Sequence, residues 1–312
     1  MTATLPPTGI LLMTYGSPSS FDDVGRYMTA VRGGREPGEE LVAEFRRRYA
    51  LIGGSPLVAI TRAQAAALQA RLRDGTLVRA AMRFSEPSIE TALRELAELG
   101  VRDVLAVVLS PQYSPLLMDG YRRAVEAART AIGPDAPAVQ QAGAWHDEPA
   151  FITALAGRVW EGLAEFDPDE RGLTRVLLTA HSLPRRVADA EPAYLEQLRA
   201  TATAVASAAG LDESRWIFCW QSAGHEPGEW MKPDFADLMP KLRLRGYLGV
   251  LVAPIQFLAD HLEILYDIDI AAREQAEAEG LTFRRIASLN DDPQFIEALA
   301  QVALRARSAV TR

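Results

Sequence analysis

Eight short apolar runs, separated by stretches of helical periodicity, constrain this chain more than any other feature. The runs are Gly9–Thr14, Leu77–Phe84, Val104–Leu109, Ala138–Gln141, Val176–Ala180, Trp216–Trp220, Tyr247–Pro254 and Thr282–Ile286. Amphipathic patterns at Glu39–Tyr49, Leu57–Arg73, Ser88–Leu99, Gly120–Ala131 and Pro192–Ala208 lie between them. Such βαβα alternation implies mostly parallel sheet covered by helices on both faces. At 312 residues the chain is long for one core. The strands divide into two groups of four, the second beginning after Trp145–Pro149. The expected fold is therefore α/β: two Rossmann-like, doubly wound lobes, 1–145 and 146–312, with a cleft between them. A terminal helix at Asp292–Arg307 is free to pack on either lobe. A single (β/α)₈ barrel is the competing arrangement.

Several function classes drop out. A net charge of −8 disfavours nucleic-acid binding, which needs a basic face. No apolar run reaches the length of a membrane span, and the N-terminus shows no charged n-region or long apolar stretch. A cytoplasmic, non-membrane protein with a small-molecule ligand is expected, and the composition is compatible with a monomer. The lone Cys219 excludes an internal disulfide and a four-cysteine iron–sulfur cluster. No Walker or Gly-x-Gly-x-x-Gly loop follows any strand, so nucleotide phosphate is not the expected ligand. Gly53–Pro56 lies between two helices; there Ser55 reads as an N-cap with Pro56 at the first helical position.

Candidate chemistry gathers where strands end, because ligands of open α/β sheets sit at the carboxyl ends of strands. The fifth run delivers His181 to such an end, before Ser-Leu-Pro halts it. Such a residue is either a structural hydrogen-bonding group or a base presented to substrate. The seventh run leads into Asp260-His261-Leu262-Glu263. That pattern reads as a capping box, Asp260 at the N-cap and Glu263 at N3 of a helix over Leu262–Glu279. It also places Glu263 and Asp267 four apart on one face, with Asp269 beyond, an oxygen-rich surface suited to a transient divalent cation. Tyr15 closes the first run. Arg32-Gly33-Gly34-Arg35 is a local cationic loop suited to a carboxylate ligand.

These segments together resemble the ferrochelatase family. The resemblance rests on Ala180–Pro184 (Ala-His-Ser-Leu-Pro), Trp220–Gly224 with Glu229–Asp234, and Asp260–Asp267. Arg48–Leu57 and Ser110–Pro115 match further family segments. It implies two Rossmann-like lobes without nucleotide, and insertion of ferrous iron into a porphyrin bound between them. No prosthetic group or iron–sulfur cluster is implied; Fe²⁺ is a substrate. On this resemblance His181 and Glu263 are catalytic and metal-handling, with Tyr15 a metal-facing residue and Asp267 an outer metal site. Tyr15, Arg32, Arg35, Ser55 and Tyr121 are substrate-binding. Met13–Gly16 and Ser114–Tyr121 look like the coproporphyrin III subtype, which implies coproheme as product and a downstream coproheme decarboxylase as partner. The readings that remain beside it are a protoporphyrin IX enzyme, a sirohydrochlorin-type cobalt or nickel chelatase, a non-catalytic tetrapyrrole carrier and a two-lobed binding protein. The chain departs from the family pattern in a Gly-Gly-Ser-Pro turn one residue short, in His225 and Glu226, and in Ala271 where a carboxylate would extend the acidic row.

Overall fold

A computed structural model describes residues 8–224 and 228–310. His225 and Glu226 lie outside the described residues. Among the described residues, eight strands form two separate four-stranded sheets, which is the two-lobed arrangement and not a closed barrel. The strands are β1 (Thr8–Thr14), β2 (Leu77–Met82), β3 (Asp103–Val108), β4 (Ala138–Gln141), β5 (Thr174–His181), β6 (Trp216–Gln221), β7 (Gly249–Pro254) and β8 (Thr282–Arg285). Their orders are β2-β1-β3-β4 and β6-β5-β7-β8, every pair parallel. The second sheet thus repeats the connectivity of the first. In each, the chain reverses direction across the sheet at its central pair, β1/β3 and β5/β7. Crevices at the carboxyl ends of such pairs are where open α/β sheets bind ligands.

Contacts divide the chain into one unit of 8–145 with 290–310, and another of His146–Leu289. The terminal helix Pro293–Val310 thus belongs to the first unit, where it packs on helix Leu57–Leu72.

Burial explains the strand positions. β7 is buried at all six residues and β5 at six of its eight, the run of apolar side chains that a sheet covered on both faces demands. One face of the first sheet packs Leu11, Met13 and Ala106 against Leu93, Leu96, Tyr121 and Val125. In the second, Leu177, Val250 and Val252 meet Phe235, Leu238, Ile264 and Ile268. Among the described residues no helix is long and apolar enough to cross a membrane.

One expected helix start differs, and one expected helix is not continuous. The helix after Gly53-Gly54 begins at Leu57 with Pro56 at its N-cap, and the Ser55 hydroxyl accepts the Leu57 N–H at 3.4 Å. The continuous helix over Leu262–Glu279 is broken into one α-helical turn at Leu262–Leu265, a π-helical stretch at Asp267–Ala272 and a short α-helix at Arg273–Ala278. The Ala271 N–H reaches back five residues to the Tyr266 carbonyl at 2.9 Å. Ile264, Ile268, Ala272 and Ala276 remain fully buried across this widening, so core packing holds the segment together where the α-helical ladder does not.

Candidate active site

β5 carries a Val-Leu-Leu-Thr-Ala run that is wholly buried and ends at His181, the first half-exposed residue of the strand's carboxyl end. Two hydrogen bonds fix its placement. Its backbone N–H donates to Gln256 Oε1 at 2.8 Å, and its ring Nδ1 lies 2.5 Å from the Ser182 carbonyl. A carbonyl only accepts, so Nδ1 carries a proton, and when the ring is neutral its lone pair lies on Nε2.

That Nε2 faces Glu263, whose Oε2 is 3.7 Å away. The same oxygen lies 3.8 Å from Nε2 of His261, which in turn donates from Nδ1 to the Ala259 carbonyl at 2.9 Å. The capping box is not formed. His261, not Asp260, occupies the N-cap and makes no side-chain cap bond, and Glu263 turns to the two imidazoles. Asp260 instead accepts from Ser288 Oγ at 2.7 Å and pairs with Arg285. The physical reason is competition: a buried guanidinium offers a carboxylate more than one backbone N–H does.

Electrostatics follow from that grouping. Burial pushes the Glu263 carboxyl up, but the positive charge that His181 and His261 carry when protonated outweighs it and holds it down at about 2. Burial likewise pushes His261 down, yet Glu263, the Ala259 carbonyl and Asp267 leave it above its ordinary value. Glu263 is therefore held as a carboxylate facing the Nε2 atoms of two imidazoles, of which His261 favours its proton. Among the described residues, no three His, Cys, Asp or Glu side chains are grouped to hold a metal ion. The half-buried Asp267 acts here on His261, while Asp269, which the sequence grouped with it, is taken bidentately by Arg285 at 2.7 and 2.9 Å.

The first unit presents a second cluster, at the topologically equivalent strand end. Tyr15, just past β1, is 45% exposed. Gly16 turns the chain behind it with φ +87°, and a Cβ there would stand 2.1 Å from Ser85 Oγ, so only glycine fits. Tyr121, 4% exposed, stands edge-on behind Tyr15 at 6.1 Å, and burial raises its phenol. Arg32 and Arg35 lie exposed in the loop after helix Val24–Val31, and neither meets a carboxylate among the described residues.

Arg83 escaped the sequence reading. Its Cζ lies 5.7, 4.6 and 5.6 Å from the ring centroids of Tyr15, Phe84 and Tyr121. It too has no carboxylate partner among the described residues. Gly120, inside helix Pro115–Ile132, makes room for it: a Cβ there would stand 2.1 Å from the guanidinium carbon. A guanidinium held by ring faces keeps its in-plane N–H donors for an anion. The sequence pattern opens its helix at Gly120, whereas the structure starts it at Pro115 and so puts this glycine in the interior, where it costs about 1 kcal/mol unless something needs the space.

The ferrochelatase family model matches residues 7–307. A ferrochelatase of Deinococcus radiodurans is 40% identical over 308 residues, covering 97% of each chain. A protein named coproporphyrin III ferrochelatase from Bacillus subtilis is 36% identical over 305 residues, covering 95% of this chain and 97% of its own. Among solved structures, SirB from Bacillus subtilis with Fe3+ matches with a TM-score of 0.59 at 11% identity, covering 96% of this chain and 94% of that one. CbiX, described as the terminal enzyme of sirohaem biosynthesis in denitrifying bacteria, matches at 0.56 and 19% identity, covering 96% and 99%. Those two likenesses speak to the fold alone. The chain belongs to the ferrochelatase family.

Proposed function

We propose that this protein inserts ferrous iron into free-base coproporphyrin III, giving coproheme and releasing two protons. The observation that carries the reading is the carboxylate of Glu263 between two imidazoles, one of which, His181, has Nδ1 tied to a carbonyl and Nε2 free. Metalation replaces two pyrrole N–H protons with one Fe²⁺, so the site needs a base beside the macrocycle and an anion beside the incoming ion. His181 Nε2 takes a pyrrole proton. The imidazolium so formed is stabilised by Glu263, which also presents an oxygen to Fe²⁺ and passes protons outward. Tyr15 keeps the metal-facing role that the family resemblance implies.

Substrate choice is read from the unpaired cations. Coproporphyrin III carries four propionates, and Arg32, Arg35 and Arg83 are guanidiniums without carboxylate partners among the described residues. Bidentate pairing with propionates fixes the macrocycle in orientation and helps drive its distortion toward a saddle, which exposes the nitrogen lone pairs to metal. Ser55 and Tyr121 complete the proposed contacts. The product retains all its propionates, so a coproheme decarboxylase would act next.

The test is anaerobic Fe²⁺ insertion by purified protein, followed spectroscopically with coproporphyrin III and protoporphyrin IX in parallel. Faster metalation of coproporphyrin III is the expected outcome. Preference for protoporphyrin IX keeps the reaction and overturns the substrate. Binding of either without metalation leaves a carrier.

A further inference from the structure

The Glu263 carboxylate stands on a segment that its own backbone holds poorly. Leu262–Leu265 is a single turn without a side-chain cap, and the chain behind it opens into the π-helical stretch. What spans the segment is Arg285, the last residue of β8. Nε and one terminal nitrogen take the two oxygens of Asp269 at 2.7 and 2.9 Å, on the far side of Glu263 in sequence. The same terminal nitrogen lies 3.4 Å from Oδ1 of Asp260, on the near side. The other donates to the Ile286 carbonyl at 2.8 Å and to Ser288 Oγ at 3.1 Å, and Ser288 Oγ donates to Asp260 at 2.7 Å. With its side chain only 13% exposed, this guanidinium is shielded from solvent and committed through all three nitrogens.

A shielded ion-pair network of this kind adds little net stability, because desolvation cancels most of the attraction. What it does supply is geometry: a planar fork admits few arrangements of two carboxylates and a hydroxyl. We propose that Arg285 is a positioning residue for metal insertion. By holding Asp260 and Asp269 on one guanidinium, it sets where the Glu263 carboxylate stands relative to His181. The inference rests on the function proposed above. Arg285 touches neither substrate nor reacting atoms. Its influence is that of an outer-shell group, whose loss typically costs about 10–100-fold in metal affinity or activity.

The experiment uses the full chain with Arg285→Met, Arg285→Lys and Ser288→Ala. For each, folded fraction is taken from near-UV circular dichroism and coproporphyrin III affinity from fluorescence quenching. KM for Fe²⁺ and kcat are measured separately and normalised to folded protein. In Arg285→Met, kcat/KM for Fe²⁺ should fall about 10–100-fold, with porphyrin affinity within about twofold of the parent. Arg285→Lys, which keeps the charge and loses the fork, should recover part of the loss. Ser288→Ala, which removes one strut, should show a smaller one. A normalised kcat/KM for Fe²⁺ equal to the parent's, or a loss shared equally by porphyrin affinity, overturns the role of Arg285. If Arg285→Met does not fold, the other two variants decide by the same criterion. A parent that metalates no porphyrin overturns the functional reading as well.

Discussion

Nε2 of His181 and Oε2 of Glu263 stand 3.7 Å apart, and that one oxygen is shared with His261 at 3.8 Å. The carboxylate therefore serves two imidazoles at once. Glu263→Gln keeps the shape and removes the charge, so it leaves any imidazolium formed at His181 unsupported. Metalation should fall at least about 100-fold, the scale of lost acid–base assistance, while porphyrin quenching titrations stay close to those of the parent. His181→Ala should do the same. Turnover retained in either variant would remove that residue from the chemistry.

The same cluster makes stability depend on pH, with two opposite signs. Glu263 is depressed from its ordinary 4.5 to about 2, so its contribution is present above pH 4.5 and is lost as pH falls toward 2. His261 is raised above its ordinary 6.5, so its contribution is present below 6.5 and is lost as pH rises through the raised value. Both operate together between pH 4.5 and 6.5. The melting-temperature gap between parent and Glu263→Gln should be widest in that window and narrow on either side. A gap flat from pH 3 to pH 9 would contradict the pairing.

Arg83 and Gly120 give a test in which stability and binding part company. Alanine at position 120 gains about 1 kcal/mol of helix propensity over glycine. Its Cβ would stand 2.1 Å from the Arg83 guanidinium, which is the mobile end of a long side chain and can move away. Gly120→Ala should therefore leave the melting temperature unchanged or raised, yet weaken coproporphyrin III binding. Arg83→Met should weaken it by about tenfold, the scale of one charge-assisted contact, and flatten its salt dependence. Equal affinity in both variants would free Arg83 from substrate contact.

How much of this was legible in the sequence depends on how local the cause was. β5 and β7 are continuous buried runs, so the apolar letters located them, and with them the strand ends where His181 and Glu263 lie. The π-helical turn was invisible because Ile264, Ile268, Ala272 and Ala276 keep the same spacing in either helix. The capping box was a sound local pattern overridden by Arg285, which arrives from another strand and takes Asp260 away. Arg83 acquires its meaning from Tyr15, Phe84 and Tyr121, which sit on three different segments. No local window contains that relationship.

Gly162 shows the opposite balance to Gly120. It lies in helix Pro149–Ala164, where a Cβ would stand 2.8 Å from Leu251 Cδ1, 3.2 Å from its Cδ2 and 3.3 Å from Ile286 Cγ2. Leu251 is fully buried in β7, so its methyls have nowhere to go. Over-packing of this kind costs about 1–3 kcal/mol, which exceeds or cancels the helix gain of about 1 kcal/mol. Gly162→Ala should lower the melting temperature or leave it unchanged. Calorimetry of the two alanine variants side by side checks the argument: Gly120→Ala at or above the parent, Gly162→Ala at or below it. The reverse order would show that side-chain clearance does not govern these two helices.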